Sequence, residues 1–183
     1  MRELIKKNKS VVKFLFLFGG SYLILALGYQ AYLSYFSSEK YYPDYVTHLV
    51  SHQSKYFAET LGYDVVITPH PTDLSMKFIL NNDYVARIVE GCNAISVMIL
   101  FVAFIIAFHS SFKKTFLFGL AGATLIYGLN IIRVALLCIG IHEYPEYAPF
   151  LHDIIFPGFI YGLVFLLWML WVRMNSNRKT EDS

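Results

Sequence analysis

Cys92, Arg133 and His152 are the residues of this chain whose types, taken together, could carry out acyl transfer. A thiolate attacks a carbonyl carbon, a neutral imidazole takes the thiol proton and returns it to a leaving amine, and a fixed guanidinium holds the oxyanion of the tetrahedral intermediate. Each residue also has a plain reading. Cys92 opens an apolar run, a place where a small buried residue is common. If its side of the membrane is oxidising, a disulfide to Cys138, the other cysteine, competes with a free thiol. Arg133 interrupts an apolar run at a cost of about 2.5–3.5 kcal/mol on insertion scales, so it calls for a function or a partner. Asn130, one turn earlier, shares its face. His152 and His142 both fall between apolar runs, and a solvated loop histidine is the bland account of each. Their spacing matches no metal-ligand geometry, and neither a metal nor an organic cofactor is expected.

These residues must be positioned by elements that sit in a bilayer. Of the 183 residues 56% are hydrophobic and 15% charged, with 14 Tyr and 16 Phe, and the mean hydropathy is +0.50. That composition excludes an ordinary soluble domain. It suits a single all-α polytopic membrane domain over 1–183 whose partner is the lipid bilayer, with no nucleic acid. Four apolar runs approach the roughly 20 residues that a helical crossing requires: 14–36, 92–108, 116–141 and 154–172. The first is too long for the apolar region of a cleaved signal peptide, so it reads as an anchor. Pro157 falls in the first turn of the last run, where it removes no helical hydrogen bond.

The cations set the orientation. Arg2, Lys6, Lys7, Lys9 and Lys13 precede the first run, Lys113 and Lys114 lie between the second and third, and Arg173, Arg178 and Lys179 follow the fourth. Four crossings place all three clusters on the cytoplasmic side, with both termini inside. The 37–91 insertion and the 140–153 loop then face outward. Cys92 would begin the second helix, where free N–H groups and the dipole favour a thiolate. Arg133, about 12 Å below Ile141, would lie in the outer half of the membrane.

The insertion reads as a small α+β unit. Val46, Leu49, Val50, Phe57 and Leu61 are spaced for a helix between Pro43 and Leu61. Tyr63–Thr68, Ser75–Leu80 and Tyr84–Val89 are rich in β-branched and aromatic residues, and Asn81-Asn82-Asp83 forms a turn between the last two. The polar stretch from Asn175 to Ser183 is expected to fray.

Glu90-Gly91-Cys92-Asn93-Ala94, then Asn130-Ile131-Ile132-Arg133-Val134, then His152-Asp153 resemble, in order and spacing, the motifs of the exosortase and archaeosortase family of membrane transpeptidases. The resemblance covers about Val85 to Leu170. With fewer spans than the larger members, the chain is similar to the compact exosortase F type. The family's catalytic set falls on Cys92, Arg133 and His152, with Glu90 and Asn130 at flanking positions. The resemblance implies cleavage and sorting of membrane-anchored protein substrates that end in a short motif, a transmembrane helix and a basic cluster. It implies a thioester on Cys92, a histidine oriented by Glu90 or Asp153, and an active site on the outer face of a bacterial cytoplasmic membrane. The rivals are a non-catalytic assembly or scaffold protein with a structural Cys/Arg/His cluster, and a small transporter or channel subunit. The second rival fits poorly, because the cytoplasmic halves of the runs hold almost no polar residues.

Overall fold

The computed structural model describes residues 8–35, 42–108 and 110–176. The cations Arg2, Lys6 and Lys7, the end of the first run at Phe36, the polar Ser37 to Lys40, His109, and the tail with Arg178 and Lys179 lie outside the described residues.

Among the described residues three helices are long and apolar enough to cross a membrane: α1 (Lys9–Tyr35), α4 (Phe112–Glu143) and α5 (Pro145–Ser176). The second apolar run forms a shorter helix, α3 (Ile95–Ala107), of 13 residues. At 1.5 Å per residue it measures about 20 Å, less than a hydrocarbon core of about 30 Å. Both α4 and α5 are longer than expected. Each has 32 residues, about 48 Å, which exceeds that core by about 18 Å.

Aromatic contacts fix how the helices run. Phe14 packs on Phe104 and Phe108, and at the other end the Asn93 amide donates to Tyr29 Oη at 2.8 Å, so α1 and α3 are antiparallel. Phe118 packs on Trp171, and Trp171 Nε1 donates to the Phe108 carbonyl at 3.0 Å, which satisfies a carbonyl at the end of α3. Gly122 lies directly against the fully buried Phe101 ring, so α3 and α4 approach as closely as a glycine allows. These contacts gather Lys9, Lys13, Lys113, Lys114 and Arg173 at one end of the bundle, hereafter the basic end.

The opposite end carries a folded cap. Helix α2 (Tyr45–Thr60) starts at Asp44, whose carboxylate accepts from the Val46 and Thr47 amides at 3.0 Å, an N-cap that satisfies two of the free donors of the first turn. The strands β1 (Val65–Pro69), β2 (Met76–Leu80) and β3 (Asp83–Ile88) form an antiparallel sheet in that order. The turn between β2 and β3 has Asn81 and Asn82 at φ 50° and 70°, left-handed backbone that asparagine adopts more readily than other side chains. The expected helix and hairpin are therefore present, and β1 adds a third strand.

The upper part of α4 belongs to the cap. Val134, Ala135 and Cys138 share a core with Val50, Ala58, Val65, Met76, Phe78, Leu80 and Ile88, and Ser54 Oγ donates to the Ile131 carbonyl at 3.2 Å. Tyr63 Oη donates to Glu143, and His142 pairs with Asp83 at 3.5 Å. His142 is thus a partly buried helix residue tied to the hairpin turn, not a solvated loop residue. The expected loop at 140–153 is corrected as well, because helical backbone resumes at Pro145 after the single residue Tyr144.

Candidate active site

Cys92 closes a 3₁₀ turn, Glu90–Cys92, that follows β3. Its amide donates to the Val89 carbonyl at 2.8 Å and the Asn93 amide to the Glu90 carbonyl at 3.1 Å. The expectation that Cys92 occupies the first turn of a spanning helix is therefore corrected: α3 begins three residues later. Between them Ala94 adopts φ 62°, a left-handed conformation costing a non-glycine residue roughly 1–2 kcal/mol. The kink separates the Cys92 turn from the first turn of α3.

Asn93 compensates for the kink. It is 1% exposed, and its Oδ1 accepts from the Ile95 amide at 2.9 Å, capping α3. Its Nδ2 donates to Tyr29 Oη of α1 at 2.8 Å and to Thr47 Oγ1 of α2 at 3.0 Å. One buried carboxamide thus ties three helices together beside the thiol. The sequence contained Asn93 within the motif but did not reveal this role, because an asparagine after a cysteine reads as a solvated cap. The signal available was a polar residue followed at once by an unbroken apolar run.

Asn130 reaches the same turn from α4. It is 0% exposed; its Nδ2 donates to the Cys92 carbonyl at 2.7 Å, and its Oδ1 accepts from Arg133 Nη1 at 3.2 Å. The Arg133 guanidinium lies within electrostatic range of Cys92 and of Tyr161 on α5, and among the described residues its buried Nε has no hydrogen-bond partner. Arg133 stands where α4 enters the cap. It is followed directly by Val134 and Ala135, which pack in the cap core. Cys138 is 2% exposed and lies in the same apolar cluster as Cys92. Both cysteines are free thiols.

His152 stands apart. It occupies a π-helical turn, Leu151–Ile155, closed by the Phe156 amide donating to the Leu151 carbonyl. Pro157 explains the widening: it has no N–H for the Asp153 carbonyl, and the helix admits one extra residue upstream of it. Pro157 is the second residue of the α-helical stretch Phe156–Ser176, so it sits in a first turn as expected, with the π turn immediately upstream. His152 Nδ1 and Asp153 Oδ1 are 2.7 Å apart, with the imidazole side chain 62% exposed. Among the described residues no hydrogen bond joins His152 to Cys92, Asn130 or Arg133. From the Phe118–Trp171 contact, Arg133 rises about 22 Å along α4 and His152 about 28 Å along α5, a difference of about one helical turn. The structure therefore brings Cys92, Asn130 and Arg133 together, with His152 near their level but facing outward. Glu90 begins the Cys92 turn. Among the described residues no cluster of three or more His, Cys, Asp or Glu could hold a metal ion.

Long apolar helices of membrane-spanning length mark an integral multi-pass membrane protein. A family model described as transmembrane exosortase matches residues 14–172. The chain belongs to the transmembrane exosortase family, which supports a membrane transpeptidase or sorting role in general. No curated protein and no solved structure matches it.

Proposed function

We propose that the protein is a cysteine transpeptidase that cleaves membrane-anchored proteins with a carboxy-terminal sorting tail through a thioester on Cys92. The observation that carries this reading is the hydrogen-bonded link from the Cys92 turn through Asn130 to Arg133, inside a family match over residues 14–172.

In this scheme the Cys92 thiolate adds to the scissile carbonyl, and Arg133 holds the oxyanion of the tetrahedral intermediate. Collapse breaks the C–N bond as His152 protonates the departing amine. His152 then removes a proton from the incoming amine or water, which attacks the thioester and releases the Cys92 sulfur. Asp153 supports the histidine better than Glu90 does, because its carboxylate sits at Nδ1 and leaves Nε2 for the proton transfers. The outward-facing imidazole must turn toward a peptide bound between the two helix ends.

The topology belongs to the same proposal. Helix α3 contacts α1 from the level of Phe14 to that of Tyr29, which supports it as a fourth crossing completed by its flanking turns. With the basic end in the cytoplasm of a bacterial cell, both termini lie inside and the cap and Cys92 lie outside the inner membrane. This arrangement suits the compact exosortase F-like type. Cys92→Ala, expressed in membranes with its natural substrate, is expected to leave the sorting tail uncleaved. Full processing by that variant would remove the proposal in favour of a structural Cys/Arg/His cluster in a scaffold protein.

A further inference from the structure

We infer that Asn130 is a positioning residue that locks the Arg133 guanidinium to the peptide of the Cys92 turn, so that cation and sulfur keep one geometry before substrate arrives. The inference rests on the reading of Cys92 as nucleophile and adds to it a part that neither the family match nor the motif assigns.

The chemistry of the three groups fixes how the carboxamide is turned. Arginine only donates and a backbone carbonyl only accepts, so Oδ1 must face Arg133 and Nδ2 must face Cys92. Those are the bonds present, at 3.2 Å and 2.7 Å. An aspartate of the same shape could accept from the arginine but could not donate to the carbonyl. A leucine could do neither. With the side chain 0% exposed, water cannot stand in for either half.

The bond also selects which edge of the guanidinium remains free. Asn130 occupies Nη1, while Nε is buried and without a partner. The Nε and Nη2 hydrogens point along a common edge of the planar fork. Holding Nη1 therefore fixes the orientation of the whole planar fork beside the Cys92 turn.

The test is a double-mutant cycle read on the thiol itself. In full-length protein in membranes, with Cys138→Ala as background so that Cys92 is the sole cysteine, the rate of alkylation by iodoacetamide is measured at fixed pH. Asn130→Leu and Arg133→Leu are each expected to slow it about tenfold, and the double variant no further than the slower single one, because each acts through the other. A wild-type rate in Asn130→Leu, or losses that multiply in the double variant, would overturn the inference. Asn130→Asp covers the case in which leucine impairs folding. It is expected to slow alkylation and to lower kcat while leaving KM within about twofold, and wild-type values in it would overturn the inference equally. Alkylation needs no substrate, so these outcomes are separable from failure of the transpeptidase reading, which shows instead as full processing by Cys92→Ala.

Discussion

Replacing Asn93 with alanine removes three hydrogen bonds at once from a site that is 1% exposed. The Ile95 amide loses its acceptor at 2.9 Å, and loss of such a cap costs about 1 kcal/mol. Tyr29 Oη and Thr47 Oγ1 lose their donor at 2.8 Å and 3.0 Å, each net bond contributing about 0.5–1.5 kcal/mol. Together the loss is roughly 2–4 kcal/mol, enough to lower Tm by roughly 5–10 °C in a chain of this size. Thermal unfolding in detergent micelles, followed by tryptophan fluorescence, measures it. A change below about 1 °C for Asn93→Ala would show that the α1–α2–α3 junction is not held here.

Gly122→Ala drives a methyl group into the buried Phe101 ring, and unfolding in detergent is expected to show a loss of roughly 1–3 kcal/mol; an unchanged midpoint would mean that α3 and α4 part freely. Pro157→Ala restores the missing donor to the Asp153 carbonyl, so the helix is expected to regularise without loss of Tm while substrate processing falls, because His152 is rotated away from its position in the π turn; unchanged processing would contradict a role for that turn. Burial pushes the His52 imidazole below the usual histidine value, and its ring neighbour His48 and Lys55 add to the effect. The unfolded chain therefore takes up the proton more readily, and cap stability is present above about pH 6.5 and declines as the pH falls below it. His52→Gln is expected to flatten that dependence between pH 5 and 7.5. Maleimide labelling of native protein is expected to modify Cys92 and spare Cys138, which is 2% exposed, until the fold is opened by denaturant; labelling that requires reductant would indicate a disulfide between them.

The cap was legible because its signals are local. Asp44, the apolar spacing of the following helix and the Asn81-Asn82 turn each act within a few residues, and each element formed where those residues put it. Helix ends were harder to locate. Ile139, Ile141 and the residues before them are as apolar as a membrane span, yet Val134, Ala135 and Cys138 face a protein core. Hydropathy does not distinguish lipid from packed side chains, so a 32-residue helix read as a shorter one. The same ambiguity hid the helical turns from Pro145 onward and overstated the second span, whose first residues form the 3₁₀ turn and the Ala94 kink. Within the site, Asn130 and Arg133 stood out as polar residues interrupting apolar sequence, and Cys92 as the residue opening the second apolar run. Asn93 did not, because its partners Tyr29 and Thr47 are distant in the chain.

The most direct test of the central claim is to capture the thioester. Membranes holding the protein and its substrate are treated with hydroxylamine, which cleaves thioesters and converts the released acyl end to a hydroxamate, and the products are read by mass spectrometry. An acyl adduct on the Cys92 peptide that hydroxylamine removes, and that is absent from Cys92→Ala, is the expected result. Substrate cleaved at an undiminished rate with no acylated Cys92 at any time point would contradict it.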